Sequence, residues 1–268
     1  MSPTTVTSDD PRILFEVDAD GIGVVRIARP EKRNAVSLSM WTALGAVFAA
    51  SSVNQAVRCL ILTGSGGHFS AGADISEFGK IRAGAEAARH YDELCDKTTL
   101  AIRDCPKPVI AALSGVTVGG GLGLALACDL RVADETIRTG IPAGKLGLVY
   151  SVTDCRLLAE RVGVTKAKEI LFTARIFGLE DALRLGLVDR AVKTDAFGEA
   201  RKLAAEIASN APLSLAGSKA ILNAVSSGTA RAQDGELQRL IDAAFDSADY
   251  SEGVRAFGEG RSPRFTGR

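Results

Sequence analysis

The chain reads as an α/β core of alternating strands and helices, followed by a helical C-terminal subdomain. Three observations predict this. Short β-rich runs recur between stretches of helical periodicity up to about Thr194, and the texture beyond it is helical only. Two glycine-rich segments, near Gly72 and Gly120, mark places where backbone comes close to another group. The expected division is 1–194 for the α/β core and 195–268 for the helical region, and 268 residues suffice to bury a substantial core.

In chain order, the runs 12–17 and 22–28 are β-rich and flank Asp18-Ala19-Asp20-Gly21, a hairpin turn. Ser37 or Ser39 caps a helix running to about Ala50, which places Met40, Leu44, Val47 and Phe48 on one face. Runs 58–63 and 108–113 are short apolar strands, and 83–103 between them is a long helical stretch. A helix is expected to begin near Gly120, with 126–133 a candidate strand overlapping its end. Past Thr194, Phe197, Ala200, Leu203, Ala204 and Ile207 sit at helical spacing, as do Leu237, Leu240, Ile241 and Ala244.

Lysine plus arginine balance aspartate plus glutamate at 32 each, so no basic excess points to nucleic acid. No apolar run approaches the roughly 18 residues of a membrane span. The start, 1–10, is polar and has no apolar signal-peptide core. Five scattered cysteines without a CxxC pair read as reduced thiols, and a cytoplasmic location is expected. With His68 and His90 as the two histidines, a histidine-rich metal site is excluded and no metal is expected.

The segments 68–75 (His-Phe-Ser-Ala-Gly-Ala-Asp-Ile) and 119–123 (Gly-Gly-Gly-Leu-Gly) offer backbone N–H groups with little side chain to screen them. Together they suit an oxygen atom that becomes negative during a reaction. A dinucleotide fingerprint fails because Leu124 or Leu126 fills its third small position. A P-loop fails because 140–145 is one residue short and Leu146 replaces the magnesium-binding hydroxyl.

These residues resemble the crotonase superfamily, also called the enoyl-CoA hydratase/isomerase family. The likeness extends over almost the whole chain. It is carried by Arg29-Pro30-Glu31-Lys32-Arg33-Asn34-Ala35, by 69–75, by Gly119-Gly120-Gly121, and by Cys128-Asp129-Leu130-Arg131-Val132-Ala133. Pro142 with Leu146-Gly147, Glu169-Ile170-Leu171-Phe172-Thr173, and the tail 246–253 leading into Ala256-Phe257 continue it. The resemblance implies a spiral of ββα units with a C-terminal helical trimerisation region, and trimers or dimers of trimers. It implies an acyl-CoA thioester as ligand, with no cofactor beyond the coenzyme A carried by the substrate. By position, the donors to the thioester oxygen are the N–H groups of Ala73 and Gly120. Lining or binding positions are Ala71, Gly72, Asp74, Ile75, Gly119, Gly123 and Ala143. Lys32, Arg33, Phe257 and Arg261 are expected along the CoA, though Gly260 and Ser262 replace two lysines typical of that tail.

The chain also departs from the family. Hydratases that resemble it carry glutamates where this sequence has Gly123 and Ala143, and neither residue can move a proton. Tyr150, in a Leu-Gly-x-x-Tyr pattern, is partly similar to methylmalonyl-CoA decarboxylase, which carries histidine where this chain has Ala73. A phenol there can orient a departing carboxylate or protonate an enolate, or be a half-buried aromatic. Asp154 has two readings, a chemical role or the cap of a helix over 155–161. Asp74 and Asp129 read as structural braces, and His68 as a solvated histidine or a phosphate contact. The expected function is an acyl-CoA enzyme that stabilises a thioester enolate without the two hydratase glutamates. The alternatives are a decarboxylase using Tyr150 and a non-catalytic acyl-CoA-binding protein.

Overall fold

The computed structural model describes residues 4–6 and 8–268. Strands β1 (Thr4–Val6), β2 (Ile13–Val17) and β3 (Ile22–Ile27) form an antiparallel meander. The turn between β2 and β3 is held by the Asp18 carboxylate, which accepts from the N–H groups of Asp20 and Ile22. From β3 onward the sheet is parallel, through β4 (Cys59–Gly64), β5 (Val109–Leu113), β7 (Leu130–Asp134) and β9 (Arg190–Val192). A second, two-stranded sheet pairs β6 (Val116–Val118) with β8 (Arg138–Gly140).

The chain therefore advances in repeated units, a strand in the large sheet, an extended step in the small one, then a helix. β5, β6 and α4 (Gly120–Ala127) make one unit; β7, β8 and α5 (Ala143–Leu146) make the next. Two earlier units use single bridges for the middle step. Val36 pairs with Ala73 between β3 and α1 (Leu38–Val53), and Ser70 pairs with Thr117 between β4 and the helices α2 (Phe78–Ile81) and α3 (Ala85–Arg103). Helices α6 (Val152–Val162), α7 (Val164–Thr173) and α8 (Leu179–Leu185) lead to β9. Then come α9 (Ala196–Ala208), α10 (Pro212–Ser226), α11 (Asp234–Phe245) and α12 (Ala248–Glu259).

Alternation along the strands builds two cores. Leu60 and Leu62 of β4, with Val109, Ala111 and Leu113 of β5, face Met40, Leu44 and Phe48 of α1 and Leu122 and Leu126 of α4. Cys59, Ile61, Ile110 and Ala112 face the other way, onto Ala196, Ala200, Leu203 and Ala204 of α9. Packing of the α/β layer thus continues past residue 194 into the first helix of the tail.

Two local expectations shift. The strand read over 126–133 begins only at Leu130, because Cys128 N–H bonds back to Ala125 O and closes α4 first. The cap of α6 is Ser151, whose hydroxyl accepts from Asp154 N–H, so the helix starts at Val152 and Asp154 lies inside its first turn. The capping reading of Asp154 is therefore corrected.

Candidate active site

The segment from Ser70 to Asp74 is strung between neighbours by its own N–H groups. Ser70 N donates to Val116 O, Ala71 N to Arg33 O, and Asp74 N to Val36 O. Gly72 N donates to the Ser70 hydroxyl. Ala73 N is left without an acceptor among the described residues, since the bridge to Val36 engages only its two neighbours. The same count along the second segment gives Val118 N to Ser70 O and Gly119 N to Gly140 O. Gly120 N–H opens α4 and has no intrahelical acceptor.

These two donors lie side by side. A side chain on Gly72 would begin 2.9 Å from Gly120 N and 2.6 Å from Val118 O, and one on Gly120 would begin 3.5 Å from Ala73 N. Gly72 also has φ +87, so glycine is required there on both counts. Both donors open onto a cavity of about 210 Å³. Ala71, Ala73, Ile75, Gly119, Gly120, Ala143, Tyr150 and Asp154, all expected from the sequence, line it. Paired N–H groups of this kind can hold an oxygen atom as it gains negative charge.

Asp154 reaches the cavity from α6. Its Oδ1 lies 3.3 Å from where a side chain on Gly123 would begin. Its carboxyl makes no hydrogen bond among the described residues, and its pKa is pushed up to about 7, first by burial and then by the Asp96 and Asp92 charges. Such a group exchanges a proton readily near neutral pH. The Tyr150 hydroxyl sits 3.5 Å from the equivalent point on Gly119, and its pKa is raised by burial and by Asp154.

The other expected residues lie elsewhere. Gly72 and Gly123 back the cavity wall, as their contacts with Gly120 and Asp154 show. Asp74, 6% exposed, braces the donor segment: it accepts from the Ser76 hydroxyl and N–H and pairs with Arg29 at 2.8 Å, and the Ser76 hydroxyl first, then Arg29, holds its carboxyl below the usual range. Asp129 likewise pairs with Lys219 and accepts from Val109 N–H. His68 Nδ1 accepts from Val116 N–H, a structural bond. Lys32 and Arg33 occupy the exposed 3₁₀ turn after β3. Phe257 stands 90% exposed on α12, and Arg261 pairs with Glu252 and Glu259.

Sequence reasoning missed the far wall. Arg82, Tyr91, Asp92, Cys95, Asp96 and Trp41 also line the cavity. Arg82 pairs with Asp92 at 2.7 Å and lies about 5 Å above the rings of Phe78 and Tyr91. The available signal was the spacing of Asp92, Asp96 and Thr99, one stripe of α3 in a stretch otherwise polar near its start. Asn34 was also missed as an organiser. Its amide donates to Ser65 O and His68 O and accepts from Arg29 N–H, tying three loops behind the donors.

With the geometry in place, comparison with known proteins gives the class. The sequence model of the enoyl-CoA hydratase/isomerase family matches residues 18–268. The chain belongs to that family, and its fold is the crotonase spiral of ββα units expected from the sequence. It is 37% identical over 255 residues to a Thermus thermophilus protein named for enoyl-CoA hydratase, covering 94% of this chain and 100% of the relative. A Syntrophomonas wolfei protein named crotonyl-CoA hydratase is 33% identical over 258 residues, covering 94% and 97%. Among solved structures, an enoyl-CoA hydratase/isomerase family protein from Hyphomonas neptunium superposes with a TM-score of 0.91 at 40% identity, over 98% of this chain and 100% of that one.

Proposed function

We propose that this enzyme of the acyl-CoA family binds a thioester oxygen on the N–H groups of Ala73 and Gly120 and moves a proton on the acyl group with Asp154. The observation that carries this reading is the Asp154 carboxyl, half-buried, without a hydrogen bond among the described residues, and set in the same cavity as the donor pair. When a proton leaves the carbon beside the thioester, charge passes to the oxygen, and the two donors then bind more strongly than in the ground state. One such donor is worth about 3 kcal/mol of barrier in other enzymes.

A single carboxyl suits a double-bond shift, in which one group takes a proton from one carbon and returns it to another. Hydration by a carboxylate pair is disfavoured because Gly123 and Ala143 stand where hydratases carry glutamates. A carboxylated acyl group would meet Asp92, Asp96 and Asp154, against one arginine already paired. That disfavours decarboxylation through Tyr150. The apolar groove of the C-terminal region, with Phe245, Val254 and Phe257 at 58%, 59% and 90% exposure, supports association through this region as trimers or dimers of trimers. Light scattering after gel filtration tests that assembly.

The reaction is tested by supplying 3-enoyl-CoA, crotonyl-CoA and methylmalonyl-CoA in deuterated water. Double-bond migration with deuterium uptake, lowered about a hundredfold by Asp154→Asn, is expected. Rapid hydration of crotonyl-CoA that survives Asp154→Asn overturns the role of Asp154. Decarboxylation lost in Tyr150→Phe establishes the alternative, and tight binding with no turnover establishes a binding protein.

A further inference from the structure

Asp154 has no side-chain partner among the described residues, so the direction of its carboxyl is set by the backbone of the first turn of α6. Within that turn Val152 is 86% exposed and gives no apolar anchorage, although Tyr150 just before it packs against the core. The turn itself is tied by a carboxylate on a different helix. Asp96 of α3 accepts from the Ser151 hydroxyl at 2.9 Å through Oδ1 and from the Thr153 hydroxyl at 2.7 Å through Oδ2. The Ser151 oxygen meanwhile accepts from Asp154 N–H at 3.1 Å, so one hydroxyl links Asp96 to the backbone of Asp154. α3 is itself well seated. Thr98, two residues on, is 2% exposed and donates to Trp41 O at 2.8 Å.

We propose that Asp96 is a positioning residue, a two-pronged clamp that acts through Ser151 and Thr153 to hold Asp154 toward the Ala73 and Gly120 donors. Both oxygens of Asp96 accept charge-assisted bonds, which are shorter and stronger than neutral ones. An asparagine keeps the shape and loses one acceptor. The clamp rests on the reading of Asp154 as the proton carrier, but its geometry is separately measurable.

Asp96 also acts across space. The titratable groups around Asp154 are Asp92, Cys95 and Asp96 from α3 and Tyr150 and Cys155 on its own segment, with Arg82 close to Tyr150; α4 contributes none, since Gly123 faces it. Of these, the Asp96 charge is the largest contributor after burial to holding the Asp154 proton.

The test pairs Asp96→Asn with Thr153→Val, which removes one prong and keeps the charge. Turnover of 3-enoyl-CoA is measured against pH, and the Asp154 carboxyl is titrated by ¹³C NMR in each protein without substrate. Thr153→Val is expected to lower kcat about tenfold with KM little changed, the scale of a small misplacement of a reacting group. Asp96→Asn is expected to lower kcat further and to move the Asp154 titration downward from about 7. Wild-type kcat in both variants, with the Asp154 chemical shift unmoved in Thr153→Val, overturns the clamp. If Asp154→Asn leaves turnover unchanged while the Asp154 chemical shift still moves in Thr153→Val, the clamp stands and the catalytic reading of Asp154 falls. Should Asp96→Asn fail to fold by circular dichroism, kcat and the chemical shift of Asp154 in Thr153→Val decide the matter.

Discussion

The Asp154 carboxyl oxygen stands 3.3 Å from the point where a side chain on Gly123 would begin. The acid therefore approaches from α6 into space that α4 leaves open. Gly123→Glu would press a second carboxylate against it. Double-bond migration is expected to fall at least about tenfold near neutral pH, with the acid limb of the rate profile moving above its wild-type position as like charges repel. A steady-state pH profile of the variant checks this.

The pH behaviour of the native enzyme follows from the same group. With its pKa pushed up to about 7, Asp154 in its proposed role becomes a base only as pH rises through neutrality, and the rate is expected to climb from about pH 6 and level near pH 8. Stability runs the opposite way. Between the ordinary value of 3.8 and about 7 the folded protein holds a proton that the unfolded chain has lost, so this group's contribution falls as pH rises through that window. One pKa unit corresponds to about 1.4 kcal/mol. Asp154→Asn should therefore raise the melting temperature relative to wild type more at about pH 8 than at about pH 4, measured by calorimetry.

Gly120 occupies the first position of α4, where proline is well tolerated. Gly120→Pro deletes one donor, and its ring begins 3.2 Å from Trp41 and 3.5 Å from Ala73 N, so it also crowds the other. A loss of about 10²–10³ in kcat with intact far-ultraviolet circular dichroism is the expected result.

The Arg29–Asp74 pair is almost enclosed, with side-chain exposures of 14% and 7%. Removing Asp74 leaves Arg29 with the Ala35 carbonyl and the exposed Glu31 and takes the acceptor from Ser76, at a cost of about 1–3 kcal/mol. Asp74→Ala should unfold at correspondingly lower urea concentration. Because the folded carboxyl sits below its usual range, the stability it confers is present near neutrality and fades as pH falls through the acid region.

Much of this was legible in the chain. The 18–21 turn, the apolar strands and the glycine segments carry local signals, and 68–75 with 119–123 fall where unengaged N–H groups meet the cavity. The far wall was not legible, for a physical reason. Asp96 meets Ser151 and Thr153 across 55 and 57 residues, and Asp154 meets Gly123 across the α4–α6 contact. Such pairings depend on how helices pack, and no periodicity records them. Asp154 in particular stands three residues after Ser151, where a serine cap and an aspartate cap compete; only the position of the hydroxyl decided between them.

The segment from Ser70 to Asp74 has a wider consequence. Four of its five main-chain donors are engaged by neighbours, and the fifth faces the cavity. Drift at position 73 can trade alanine for glycine or serine and leave that donor where it stands. Proline alone abolishes it, and bulk alone obstructs it. On the function proposed above, the walls around position 73 set which acyl group fits, while the amide that would hold its oxygen does not depend on which of these small side chains it carries.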